Sequence, residues 1–320
     1  MNVRVLAAGG TIAMSGAGGA KLALDASDLL AAVPGLDGRE GIESETVANL
    51  PSAHLTLADQ LRICHAARDA AREGIGVVVT HGTDTLEETA MLCDVIHDAE
   101  APIVFTGAIR AASAPGADGP ANLADAISVA RSEDAMGMGV LVVFGGEIHH
   151  ARCARKTDTT SLTAFSSPQT GLLGRVTEGH ATFWTRVPRN EPLDPPVLDH
   201  HVLVVPTTAG DDGTLARAAL ATEPDGIVIG TLGAGHLHPD LLKLWSEASE
   251  RIPVVAYCRP ERGVVLTGTY GFAGSERELR ESKIIPAAFL SPQAARMKLL
   301  ACLASGLSIE ETRAAFRLDD

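Results

Sequence analysis

Four short runs in the first half of the chain leave little freedom for its fold. VRVLAA (3–8), GVVVT (76–80), PIVFT (102–106) and GVLVVF (139–144) are nearly unbroken apolar stretches. A strand with one wet face alternates apolar and polar residues, whereas a strand buried on both faces reads like these. Between them lie amphipathic stretches at 56–73, about 84–98 and 119–132, each long enough for a helix. Such a βαβα rhythm predicts a parallel or mixed sheet with helices on both sides.

The rhythm breaks at RVPRNEPLDPPVLDH (186–200), where Pro188, Pro192, Pro195 and Pro196 withhold amide donors and resist helix. It then restarts with VLVVP (202–206), a helix near 213–221, GIVIG (226–230), a helix near 239–250 and PVVAY (253–257). Helices at about 291–305 and 308–317 close the chain. The expected class is therefore α/β. A larger N-terminal α/β domain (1–185) would carry a mainly parallel sheet flanked by helices. A linker (186–200) would lead to a smaller C-terminal α/β domain (201–320).

Composition removes several function classes. A formal charge of −14 and the lack of a basic run argue against a general nucleic-acid or anionic-membrane surface. No apolar stretch approaches the ~20 residues that span a bilayer. The start, Met1-Asn2-Val3-Arg4, runs directly into the first strand without a signal-peptide pattern, so a cytoplasmic location is expected. Cys64, Cys93, Cys153, Cys258 and Cys302 are scattered and form no CxxC, which reads as reduced thiols. The pairs His149-His150 and His200-His201, and His236 with His238, lack HExxH or Cys/His spacing. No metal and no cofactor are expected.

In open α/β sheets, ligands gather at the carboxyl ends of the strands. After strand 3–8 comes AGGTIAMSGAGG, where Gly9 and Gly10 allow close backbone approach and Thr11 follows. This lacks the GxGxxG and GxxxxGK[ST] spacings of phosphate loops. After strand 76–80 comes HGTDT, after 102–106 GAIRAASAPGADGPANLADA, and after 139–144 GGEIHHARCARKTDTTS. Hydroxyls, a carboxylate and a lysine thus collect on one sheet edge. Thr83 and Asp84 also suit an N-terminal helix cap, with Glu87 and Glu88 favouring the helix dipole. That reading leaves the whole Thr-Asp-Thr cluster unexplained.

Arginine outnumbers lysine 21 to 5, and a buried amine, unlike a guanidinium, can shed its proton. Lys156 in CARKTDTTS is accordingly a candidate base or proton relay. No GxSxG elbow is present, which leaves threonine as the candidate nucleophile. Threonine needs a neighbour to take its proton and donors for the oxyanion. Thr83, Lys156 and Asp84 suit the relay. Backbone amides after Gly9-Gly10 and at the start of the 84–98 helix suit the oxyanion. These parts suit acyl transfer or amide hydrolysis without naming a substrate.

Taken together, these residues resemble the bacterial L-asparaginase family of asparaginase/glutaminase amidohydrolases. One signature is the glycine-threonine motif Ala8-Gly9-Gly10-Thr11-Ile12-Ala13, and the other is THGTDTLEETA at 80–90. Further likenesses are NLPSAHLT (49–56), TGAIR and ADGPANLADA (106–126), RKTDTTSLTAF (155–165), GAGHLHP (233–239), YGFAGSE (270–276) and LSPQAAR (290–296). The resemblance implies attack by Thr11 on the side-chain amide of L-asparagine, with L-glutamine as a second amide, and release of aspartate from an acyl-enzyme. It implies that Thr83, Lys156 and Asp84 form a second catalytic group, with Asp84 also holding the substrate α-ammonium. Ser52 would meet the α-carboxylate, the Ala108 carbonyl the side-chain amide, and the Gly10 and Gly82 backbones would line the site.

Glu276 matches a glutamate that reaches a neighbouring subunit's site, implying a homodimer or homotetramer. His236 stands where some members have asparagine. Ala53 replaces a polar side chain, and the loop 13–27, with Gly16, Gly18 and Gly19 suited to a lid, lacks the tyrosine that many members carry. The same chemistry on a broader set of amides, as in a glutaminase-asparaginase, and a non-hydrolytic amino-acid sensor are the alternatives.

Overall fold

The computed structural model describes residues 1–16, 19–36, 41–189 and 191–317. They form two compact units, Met1–Pro192 and Leu193–Asp320.

Unit one is built on an eight-stranded mixed sheet ordered β12-β11-β8-β7-β6-β5-β1-β4. Its members are β1 (Val3–Gly9), β4 (Ile42–Leu50), β5 (Gly76–Thr80), β6 (Ile103–Thr106), β7 (Val140–Phe144), β8 (Glu147–His150), β11 (Gly174–Thr177) and β12 (His180–Phe183). From β4 to β7 the neighbours are parallel, and from β7 to β12 antiparallel. The four apolar runs of the sequence are β1, β5, β6 and β7, and every residue of β5, β6 and β7 is buried. Helices α2 (Leu57–Arg72), α3 (Leu86–Ile96) and α4 (Gly119–Arg131) fill the expected positions.

Val5, Val78, Val104 and Leu141 share one core layer with Leu123, Ala126 and Ile127 of α4. Burying each such valine or leucine contributes about 1.5–3 kcal/mol. The helix α2 begins on a capping box between Thr56 and Asp59, which satisfies two otherwise orphaned donors.

Two features depart from the sequence expectation. The stretch 13–27 is not all loop: β2 (Met14–Ser15) and β3 (Lys21–Leu22) pair as a small hairpin, followed by α1 (Ala26–Ala31). Its base is tied down where the Ala112 N–H donates to the Met14 carbonyl at 2.9 Å and the Gly16 N–H to Ser113 Oγ at 3.2 Å. Gly18, expected in the lid, lies outside the described residues. The second departure is α3, which starts at Leu86 rather than near residue 84. Thr85 is its cap residue and makes no side-chain capping bond.

A two-stranded ladder joins β9 (Arg155–Lys156) to β10 (Phe165–Ser166). Unit two has a parallel sheet, β13 (Val202–Val205), β14 (Gly226–Thr231), β15 (Val254–Cys258) and β16 (Ile285–Pro286). Its helices are α5 (Thr214–Leu220), α6 (Pro239–Ser249), α7 (Glu276–Glu281), α8 (Pro292–Ala304) and α9 (Ile309–Ala315). Trp245 of α6 is the bulkiest fully buried side chain and packs with Ile227, Ile229 and Val254. All five cysteines are unpaired. Among the described residues no helix is long and apolar enough to cross a membrane.

Four buried imidazoles make acid stability a test of this packing. Burial pushes His81, His97, His149 and His150 each down to about 4 from an ordinary 6.5. The unfolded chain therefore binds protons that the folded chain refuses. Their contribution is complete above about pH 6.5 and is lost as pH falls through about 4. With all four titrating, the slope approaches about 5 kcal/mol per pH unit near pH 5. Thermal unfolding followed from pH 7 to pH 4 should show this steep loss, and a flat profile would contradict it.

Candidate active site

The strand order reverses between the parallel neighbours β1 and β5: the connection from β1 runs to β4 on one side, and those from β5 run to β6 and β7 on the other. A crevice opens at the carboxyl ends of such a strand pair. The residues placed there are Gly9-Gly10-Thr11 and His81-Gly82-Thr83-Asp84-Thr85.

Glycine is needed where these loops meet. Gly10 has φ +84°, and a Cβ on it would lie 2.3 Å from both Cα and N of Gly82. A Cβ on Gly82 would in turn lie 2.6 Å from Ser52 Oγ. Only bare backbone lets the three loops close on each other. Ser52 sits in a 3-10 turn (Ser52–His54) and is 4 % exposed, and its carbonyl accepts the Thr85 hydroxyl at 3.1 Å. That bond explains why Thr85 does not cap α3. The following Ala53 is exposed.

The loop after β6 joins the same cluster. A Cβ on Gly107 would lie 2.5 Å from the His81 carbonyl and 3.3 Å from Thr83 Cγ2. Next to it, Ala108 is fully buried. Asp118 holds this loop by accepting the Ile109 and Arg110 amides at 3.0 and 2.8 Å. Asn122 spans it, donating to the Gly107 carbonyl and to Asp118 at 3.0 and 3.1 Å, and accepting the Gly145 amide at 3.0 Å.

Lys156 arrives from β9. Its Nζ donates to Thr83 Oγ1 at 2.8 Å and to Asp84 Oδ1 at 2.7 Å. Thr83 is 5 % exposed, while the Asp84 side chain is 67 % exposed. The cap reading of Thr83 and Asp84 is therefore corrected: both precede the cap position and are engaged with the lysine. Since Thr83 Oγ1 accepts from Lys156, its own hydrogen remains available to donate onward. Asp84 is left with a solvent-facing oxygen suited to a cation.

The amides of the first loop divide. The Gly10 N–H donates to the Leu50 carbonyl at 3.2 Å. Among the described residues the Thr11 N–H has no acceptor, so it, rather than the Gly10 N–H, is the amide that this loop leaves free to donate.

His81 stands behind the cluster, fully buried. Its Nδ1–H donates to the Gly82 carbonyl at 2.8 Å, and its Nε2 accepts the Thr89 hydroxyl at 3.0 Å. Held down to about 4 by burial, the imidazole stays neutral and braces the loop. Sequence reasoning missed His81, Asp118 and Asn122, although HGTDT and ADGPAN contain them. Only His81 carried a signal, a polar residue directly after the fully buried strand β5.

The two remaining residues lie in unit two. Glu276 opens α7 and is fully buried, with Tyr270 N–H donating to its Oε1 at 2.7 Å. Loss of water disfavours its charge, but the Tyr270 and neighbouring amides outweigh this and hold the carboxyl below its ordinary value. His236 Nε2 lies 3.3 Å from Glu276 Oε2, and its ring meets Tyr270 and Phe272 edge-on at 4.8 and 5.0 Å. Thus Thr11, Ser52, Gly10, Gly82, Thr83, Asp84, Ala108 and Lys156 share unit one, and His236 and Glu276 form their own pair. Among the described residues no group of His, Cys, Asp or Glu is arranged to hold a metal ion.

Residues 2–189 match the family model described as Asparaginase, N-terminal, and residues 201–316 the one described as Glutaminase/Asparaginase C-terminal domain. The chain belongs to the asparaginase family. It is 39% identical over 288 residues to a probable L-asparaginase of Deinococcus radiodurans, covering 89% of this chain and 88% of that one. It is 32% identical to an L-asparaginase of Bacillus licheniformis, with 95% of each covered. The solved structure of a probable cytoplasmic L-asparaginase from Campylobacter jejuni superposes with a TM-score of 0.85 at 31% identity, covering 98% of both chains. The asparaginase resemblance and the two-part α/β class expected from sequence both hold.

Proposed function

We propose that the protein hydrolyses L-asparagine to L-aspartate and ammonia through an acyl-enzyme on Thr11. The observation that carries this is the pair of Lys156 contacts, to Thr83 at 2.8 Å and Asp84 at 2.7 Å, beside the loop that bears Thr11. Thr11 Oγ attacks the side-chain carbonyl carbon, and its proton is passed on through the Thr83–Lys156 pair. The Thr11 N–H steadies the oxyanion. The C–N bond breaks as the nitrogen takes up the proton and leaves as ammonia. Water then attacks the ester, Thr83 and Lys156 again carry the proton, and aspartate leaves with the Thr11 hydroxyl restored.

Asp84 holds the α-ammonium with its exposed oxygen, Ser52 the α-carboxylate, and the Ala108 carbonyl the side-chain amide. Gly10 and Gly82 form the wall against which the substrate lies. On this reading residues 1–185 carry the catalytic threonines, 186–200 link, and Glu276 and His236 in 201–320 complete the site of a second copy in a homodimer or homotetramer. A cytoplasmic location accompanies this reading, supported by the description of the Campylobacter relative.

Ammonia release from L-asparagine and, separately, L-glutamine tests the reaction. Fast release from asparagine is expected, and the ratio of the two rates sets the breadth of the enzyme. Release from neither by folded protein would overturn the reading in favour of a binding role.

A further inference from the structure

Lys156 is gripped at both ends by one short segment of chain. Its Nζ meets Thr83 and Asp84, and its backbone N–H donates to Glu87 Oε2 at 2.6 Å, 69 positions away in sequence. Glu87 sits in the first turn of α3, directly after the loop that supplies Thr83 and Asp84. The ring therefore closes: from the lysine amine to Asp84, along the start of the helix to Glu87, and back to the lysine backbone.

β9, which bears Lys156, is only two residues long and pairs with an equally short β10. So brief a ladder holds a long side chain loosely on its own. The carboxylate adds a charge-assisted bond at the residue that must be aimed. Burial pushes the Glu87 carboxyl above its ordinary value, against the pull of the Lys156 amide and of Arg155, with Glu88 pushing further upward. A carboxylate kept there at such a cost has a job that a general helix-dipole preference does not supply.

We propose that Glu87 is a positioning residue for the reaction, fixing the backbone of Lys156 so that its amine reaches Thr83 and Asp84 together. This rests on the hydrolytic reading above. It also corrects the sequence view of Glu87 as a dipole partner alone.

The test is a mutant cycle on L-asparagine turnover. Glu87→Ala should lower kcat tenfold or more with KM changed less than about threefold. Glu87→Gln, whose carbonyl oxygen accepts the same N–H, should keep kcat within about threefold. Glu87→Asp keeps the charge but falls one methylene short, and should lose as much as alanine. In a Lys156→Met background, Glu87→Ala should cost less than about twofold, because the group it aims is gone.

Equal losses in both backgrounds would overturn the role, as would a glutamine variant as impaired as the aspartate one. If the alanine protein fails to fold, the glutamine-against-aspartate comparison and the same cycle with aspartate decide the matter. No turnover by folded wild-type protein would overturn the hydrolytic reading and this role with it. Wild-type turnover with additive losses would overturn this role alone.

Discussion

Replacing Thr11 with alanine is expected to lower ammonia release from L-asparagine at least ~10²-fold while leaving thermal unfolding within a few degrees. In the proposed mechanism the rate loss follows from removing the hydroxyl that would form the acyl bond. The preserved stability follows from the local structure. Thr11 is only part-buried, in a 3-10 turn held by backbone bonds, the Ala13 N–H to the Gly10 carbonyl and the Met14 N–H to the Thr11 carbonyl. Among the described residues its hydroxyl makes no hydrogen bond. Alanine therefore leaves no stranded partner, and the positive φ of the turn falls on Gly10. Ammonia release and calorimetry on the same sample separate the two outcomes. Turnover near the wild-type rate would remove Thr11 from the mechanism and leave Thr83 as the nucleophile to examine.

Lys156→Met should reduce kcat by ~10² or more with a much smaller change in KM. Methionine keeps most of the apolar stem but donates nothing to Thr83 or Asp84. Thr83 then loses the group with which, in the proposed mechanism, it exchanges a proton in both half-reactions. Asp84, largely solvent-exposed, is rehydrated on losing its partner and still binds a cationic ligand. Steady-state kinetics decide the point. A rise in KM with kcat unchanged would make Lys156 a substrate contact instead.

Burial governs which elements were legible. β5, β6 and β7 are buried throughout, and their apolar runs announced them. β4 is an edge strand whose burial is partial or absent along its whole length, and IESETVANL carries no apolar signal. Its place is set by pairing with β1 from Val3 opposite Ile42 onward. The hairpin β2–β3 has two residues a side, too few for any period to show. The helix was expected to start near 84 because Thr83 and Asp84 suit a cap, whereas both are engaged by Lys156, and Thr85, which takes the cap position, spends its hydroxyl on the Ser52 carbonyl 33 positions away.

The site divides in the same way. Gly9-Gly10-Thr11 and Thr83-Asp84 were visible because residues that suit neither a strand nor a plain turn followed apolar runs. Lys156 was visible through its rarity among arginines. What the sequence by itself determined is the layered α/β class, the exit of each strand and the chemical kinds of residue waiting there. These follow from local periodicity and backbone sterics, which act over a few neighbours. Tertiary structure alone decided that Lys156 faces Thr83 and Asp84, that bare glycines let three loops meet at Gly82, and that Glu87 holds the lysine from behind. Each of those contacts joins residues tens of positions apart, and only packing of the whole sheet fixes such distances.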